Sequence, residues 1–271
     1  MEPRLNQRDA DGGRGMTTGA SIDALTTDLK VGLAFLTRLP FVGAAQASGT
    51  DVARASWTFP VVGVGIGLIG AFVAWLADSL GLHPFISGTL AIAAIVLITG
   101  CLHEDGLADM VDGFGGGGSP MLKLEIMRDS RVGAYGTSAL ILSFMLRAGA
   151  LASFADPAFV APALIAAEAG ARAIMPAFML LVPAARQDGL SAAAGKPPQR
   201  AALIAALIGF VVLVLCLGFG GGLIAALVVS AAIVLLALLC MSQIGGQTGD
   251  VLGAVEQVGE VVILLVAAAW L

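Results

Sequence analysis

The apolar residues of this chain come in long unbroken runs, with the polar residues gathered into the gaps between them. Runs of that length predict membrane-crossing helices rather than amphipathic helices or half-buried strands. Seven are expected, at about 59–80, 85–102, 134–155, 158–183, 201–218, 222–241 and 255–271. Residues 201–241 carry no charge at all, enough for two crossings with a glycine turn between them. Glycines recur through the first run at Gly63, Gly65, Gly67 and Gly70 and suit close helix packing, while Pro176 is expected to kink the fourth. Residues 29–41 are apolar but short and interrupted by Arg38 and Pro40, so they read as an interfacial or re-entrant helix. The fold expected is all-α: a polytopic integral membrane protein of about seven transmembrane helices plus a short interfacial N-terminal helix.

Composition agrees, since 58% of the 271 residues are hydrophobic and only 12% charged. Residues 1–28, rich in Gly, Asp, Arg and Thr, read as a disordered cytosolic tail, and residues 29–271 as one membrane-embedded catalytic domain. No repeat suggests an inverted-repeat transporter. Cys101, Cys216 and Cys240 lack CxxC spacing and read as free buried thiols. The net charge of −5 identifies no partner, because the charges are local, and no nucleic-acid ligand is expected. The bases do set an orientation. Twelve fall before the first run or in the gaps at 103–133 and 184–200, and none in the gaps at 78–84, 155–158 and 218–222. The N-terminus and the polar motifs are therefore expected in the cytoplasm. The remaining bases, Arg147 and Arg172, lie inside runs, and Glu168 stands one turn before Arg172 as an intramembrane partner.

The chemistry concentrates in the gaps on that one face. GCLHEDGLADMVDG at 100–113 packs Glu104, Asp105, Asp109 and Asp112 into nine residues, and on a helix Asp105, Asp109 and Asp112 share one stripe. Like charges so placed repel. If the preceding apolar helix runs on through Gly106, they also sit at its unfavourable C-terminal end. A hard cation with oxygen ligands relieves both penalties, and Mg²⁺ is the usual choice where phosphates are bound. His103 beside them is a candidate general base or a hydrogen-bonding support. Arg128, Arg131 and Lys196 offer positive charge, Gly115–Gly118 and the glycines around Thr248 and Asp250 offer turns, and together these are the parts of a phosphoryl-transfer site. Taken singly, the four glycines read as a linker and Lys196 as a topology-setting charge.

These strings resemble a known family. GCLHEDGLADMVDG followed by EIMRDSRVGAYG is similar to cobalamin synthase, the adenosylcobinamide-GDP ribazoletransferase family, and so are FLTRLP at 35–40, FPVVG at 59–63, ARQDGL at 185–190 and GGQTGDVLGA at 245–254. Cys101 departs from the family pattern, which usually has a second glycine there, and Gln247 stands where an aromatic or basic residue is common. The resemblance implies a bacterial inner-membrane enzyme that joins α-ribazole, or its 5′-phosphate, to adenosylcobinamide-GDP and releases GMP, with Mg²⁺ required. It implies catalytic roles for His103, Asp105, Asp109 and Asp112, metal binding by Glu104 and the three aspartates, and substrate binding by Arg128, Arg131, Lys196, Thr248 and Asp250. Membrane lipid is the expected surrounding, and a homo-oligomer is compatible with the chain. Two other readings fit the aspartates alone. CDP-alcohol phosphotransferases and intramembrane prenyltransferases also hold Mg²⁺-diphosphate on helical aspartates, although the Arg that the former carry after DGxxA is Asp109 here. A cation channel with an aspartate ring is disfavoured by the clustering at one face.

Overall fold

The structure, a computed structural model, describes residues 17–39 and 48–271. All its regular elements there are helices: α1 (Thr17–Leu36), α2 (Gly49–Ala55), α3 (Phe59–Ser79), α4 (Pro84–Thr99), α5 (Leu102–Gly116), α6 (Pro120–Ile126), α7 (Ala134–Ala152), α8 (Val160–Leu181), α9 (Leu190–Ala194), α10 (Gln199–Ile244) and α11 (Gly249–Trp270). Five stretches are long and apolar enough to cross a membrane, and a sixth is the pair α4 and α5 taken together across a 91° bend. We read α4 as the crossing helix of that pair, since α5 turns away across the N-terminal ends of α11 and α7.

The charge-free run forms α10, which is broken at Gly218 (φ 73°, ψ 167°), a left-handed backbone that glycine adopts without cost. There the chain reverses. Gly222 lies against the backbone of Leu213 and Val214, and the Trp270 indole N–H donates to the Leu217 carbonyl at 3.1 Å, satisfying an end group of the first arm. With α10 counted as two arms, every one of the seven expected crossings has its helix.

α8 is the axis of the bundle. Its buried surface is mostly Ala and Gly, and neighbours approach with glycines of their own. Gly63 and Gly67 of α3 touch α8 backbone at Glu168–Ala169 and Ile165, and Gly259 of α11 touches Ala171. Without a hydrophobic drive between helices in lipid, contact of this closeness is what supplies packing energy. The helix continues through Pro176.

Three expectations are revised. The expected interfacial helix at 29–41 starts earlier, at Thr17, and α1 docks through Asp28, which accepts from Arg54 Nε at 3.0 Å and Trp57 Nε1 at 2.9 Å. The expected boundary between a tail at 1–28 and a domain from 29 therefore falls inside α1, while residues 1–16 and 40–47 lie outside the described residues. The apolar helix before the acidic motif does not run on through Gly106. It stops at Gly100 and Cys101, both left-handed (φ 68° and 59°). Glu104 and Asp105 thus stand in the first turn of a new helix, where the dipole favours them. The same φ explains why glycine suits position 101, where Cys101 carries the cost of a side chain in that conformation. Cys101 is exposed rather than buried; Cys216 is partly buried and Cys240 buried, and all three are free.

Candidate active site

Three stretches that are far apart in sequence meet at one end of the bundle. Gly106 of α5 presses on the backbone of Asp250 and Gly253 in the first turns of α11, an approach only a residue without a side chain allows. Between the two remaining loops Gln247 N–H donates to the Pro183 carbonyl and Ala185 N–H donates to the Gln247 carbonyl, both at 2.8 Å, and Ser191 Oγ donates to Gln247 Oε1 at 2.6 Å. Gln247, a departure from the family pattern, is thus the clamp between these loops. Around this junction lies a cavity of about 310 Å³, lined by His103, Asp105, Arg186, Ser191 and Asp250 and by apolar residues including Phe35, Phe59, Met175 and Met179. A second cavity of about 250 Å³ lies at the other end of α3, and its wall is apolar apart from Asp78 and Ser87.

The four acids of the motif have separate surroundings. Asp105 is exposed and lines the cavity. Asp109 is half-buried, and burial, then the charges of Asp105, Asp250 and Asp112, push its carboxyl up to about 7. Asp112 is buried and occupied: it accepts from the backbone N–H groups of Gly133 (2.6 Å) and Gly136 (2.9 Å), capping α7 from a neighbouring helix. A Cβ on either glycine would collide with it, which ties the second motif to the first. Glu104 points the other way, into the bundle, where its Oε1 accepts from Arg147 at 3.3 Å and Gln257 Nε2 at 3.2 Å.

The expected phosphate-binding bases are elsewhere. Arg128 is exposed and spans both oxygens of Asp188, at 2.7 and 2.6 Å. Arg131 folds back on Asp129, holding that carboxyl down at about 2. Lys196 is exposed and does not line the cavity. Thr248 caps α11, accepting from Val251 N, and donates to Asp250 Oδ2 at 3.1 Å. Of Gly115–Gly118, Gly115 packs on the Tyr135 ring and Gly117 on Lys123, and Gly115 and Gly116 belong to the last turn of α5. The guanidinium that does reach the cavity is Arg186. Its Nη2 lies 3.4 Å from Asp250, while its Nε and Nη1 are buried without a hydrogen-bond partner. The sequence held a signal for it in ARQDGL, but nothing there separates Arg186 from Arg128.

Asp105, Asp109 and Asp250 face one another with Arg186 as the base among them, an excess of negative charge. Among the described residues no group of three or more His, Cys, Asp or Glu is arranged to hold a metal ion. A cation here would have one or two carboxylates, with water and phosphate oxygens in its other positions.

Behind the cavity lies a buried ionic network of Glu104, Glu168, Glu256 and Glu260 with Arg147 and Arg172, and His103 connects it to the cavity wall. The Glu168–Arg172 pair is present, and Arg172 also binds Glu256 at 2.7 Å.

The profile of a family described as cobalamin-5-phosphate synthase matches residues 28–268. A Bradyrhizobium diazoefficiens protein named adenosylcobinamide-GDP ribazoletransferase is 54% identical over 250 residues, covering 92% of this chain and 96% of its own. Proteins of the same name from Mesorhizobium japonicum (47% identical, 89% of this chain and 92% of theirs) and Azorhizobium caulinodans (42%, 89% and 95%) are also similar. No solved structure matches the chain. With a matching family profile over nearly its whole length and relatives this similar, the chain belongs to the cobalamin-5-phosphate synthase family.

Proposed function

We propose that this chain transfers the cobinamide phosphate of adenosylcobinamide-GDP to α-ribazole, or its 5′-phosphate, releasing GMP, in the cavity bounded by α5, α11 and the loop of Arg186. A ribose hydroxyl attacks the phosphorus that bears the cobinamide arm, the bond from that phosphorus to the bridging oxygen breaks, and GMP carries the electron pair away. The observation that carries the reading is the cavity carboxylates beside a guanidinium whose Nε and Nη1 are buried without a hydrogen-bond partner, the nearest acid to Nε being Asp188 at 3.9 Å. Buried donors left open call for an acceptor, and a diphosphate supplies one. One or two of Asp105, Asp109 and Asp250 would hold Mg²⁺. When bound, it would neutralise the diphosphate and the charge growing on the leaving group. Arg186 grips phosphate oxygens in fixed orientation, while Thr248 holds Asp250 in place. Arg128 and Arg131, paired to Asp188 and Asp129, are given the lesser role of shaping the rim.

The test is GMP release from purified protein in lipid, supplied with adenosylcobinamide-GDP, α-ribazole and Mg²⁺. Arg186→Lys keeps the charge but loses the fork, so KM for the GDP-activated substrate should rise about tenfold or more while KM for α-ribazole changes little. Equal effects on both would refute the assignment of Arg186 to the diphosphate.

The orientation belongs to the same proposal: a bacterial inner membrane, with the cavity open to the cytoplasm. Among the described residues, nine bases precede the first crossing or lie in the cavity-side gaps, against none in the gaps on the other side, and this supports it. The exposed leucines along α10, among them Leu207, Leu215, Leu227 and Leu235, suit lipid contact. Cysteine placed at the exposed Lys196 should react with a membrane-impermeant thiol reagent in inverted vesicles and stay unlabelled in intact cells; labelling in intact cells would reverse the orientation.

A further inference from the structure

Hydrogen-bond accounting around Arg172 decides which nitrogen of His103 carries its proton. Arg172 Nη1 donates to Glu168, through its carboxylate and its backbone carbonyl at 3.1 Å, and lies 2.7 Å from Glu256 Oε1 as an ion pair, while Nε has no hydrogen-bond partner. Nη2 has one acceptor, His103 Nδ1 at 3.4 Å. A guanidinium only donates. A proton on Nδ1 would set two N–H groups against each other and leave Nη2 orphaned in the core. The competing acceptor for such a proton, Glu256 Oε2, also lies 3.4 Å from Nδ1. It already accepts from Gln257 Nε2 at 3.1 Å, so it loses little without His103. Nδ1 is therefore the acceptor, and the proton sits on Nε2.

His103 is 2% exposed and forms part of the cavity wall, and its Nε2 has no partner in the protein. The unpartnered nitrogens of Arg186 belong to the same wall. The open polar groups contributed by these two side chains are thus donors, and an occupant bearing acceptor oxygens is what satisfies them.

We propose that His103 acts as a neutral hydrogen-bond donor, giving Nε2–H to a phosphate oxygen of the bound diphosphate, with Arg172 fixing that tautomer from behind. This rests on the reading of the cavity as the diphosphate site. It revises the expected role of His103 as general base: the Nε2 lone pair that a base needs is replaced by a hydrogen, and the Nδ1 lone pair faces Arg172. The attacking hydroxyl then loses its proton to another acceptor.

The chain has two histidines, so His83→Asn leaves His103 as the one histidine in the protein, and asparagine can still cap α4. With ¹⁵N-imidazole labelling of that protein in lipid, the two ring nitrogens should show the Nε2–H tautomer. An Nδ1–H tautomer would overturn the proposal. Kinetics give a second, separate reading. Gln places an amide N–H near the position of Nε2 but cannot shuttle protons, so His103→Gln should stay within about tenfold of wild-type kcat, while His103→Ala loses ~10²-fold. A Gln variant as impaired as the Ala variant would refute donor action. Should the intact chain release no GMP, the functional reading fails; the tautomer is measured whether or not turnover occurs.

Discussion

Asp109→Asn should lower the rate of GMP release by ~10²-fold or more, yet leave the metal-free protein at least as stable as wild type. Both halves follow from the surroundings of Asp109. It is half-buried among Asp105, Asp250 and Asp112, and its carboxyl is raised to about 7 from the model-compound 3.8. A carboxyl raised on folding favours the native state fully below its unfolded pKa and loses that contribution as pH rises through the folded one. The wild-type metal-free protein should therefore lose stability between about pH 4 and 7 through this group. Asparagine removes that slope, so the two proteins should differ little at low pH and most above pH 7. Added Mg²⁺ should stabilise wild type more than the variant in thermal unfolding at pH 8. Asp112→Asn is the control within the stripe. Its carboxylate is spent on Gly133 and Gly136, so the cost should fall on stability, by ~1 kcal/mol, more than on the response to Mg²⁺. Wild-type turnover in folded Asp109→Asn protein would sink the carboxylate site.

Much of the architecture was legible because lipid imposes simple rules. A charge-free stretch such as 201–241 has few ways to satisfy its backbone other than helices, and glycines mark where two helices join or touch. The meeting of three loops followed from putting every polar gap on one face. What the sequence did not disclose was the partner of each side chain. Glu104 and Asp105 are adjacent letters, but a helix turns them about 100° apart, one toward Arg147 and one toward the cavity. Asp112 fits the metal stripe by spacing and is claimed instead by two N–H groups some twenty residues later. Arg128 and Arg186 look alike in a list of loop bases, and the difference is that Arg128 hydrogen-bonds both oxygens of Asp188 at the surface, while Arg186 lines the cavity with Nε and Nη1 buried without a hydrogen-bond partner. Whether the apolar helix continued through Gly106 was left open by the sequence; the small size of Gly106 serves contact with α11, and the left-handed break falls before it at Gly100 and Cys101.

The largest loss of stability is expected from Arg147→Met, about 3–5 kcal/mol, seen as a marked fall in the unfolding temperature in detergent. Arg147 is fully buried, its Nη1 donates to Glu260 Oε2 at 2.8 Å, both its Nη atoms lie 3.3 Å from Glu104 Oε1, and its guanidinium sits 4.9 Å from the centre of the Phe144 ring. Its network holds four glutamates against two arginines, so removing one arginine leaves Glu104 and Glu260 facing each other without a base between them. Methionine fills most of the volume, and the effect is therefore one of charge rather than of a cavity. The loss should also reach the active site, because Glu104 anchors the first turn of α5 from which Asp105 projects. Activity per folded molecule should fall along with stability. Adding Glu260→Gln to Arg147→Met removes one of the two stranded charges, so the double variant should regain part of the lost stability, whereas Glu260→Gln alone should cost less than Arg147→Met. If Arg147→Met unfolded at the wild-type temperature, the ionic network would have no part in holding α5, α7 and α11 together.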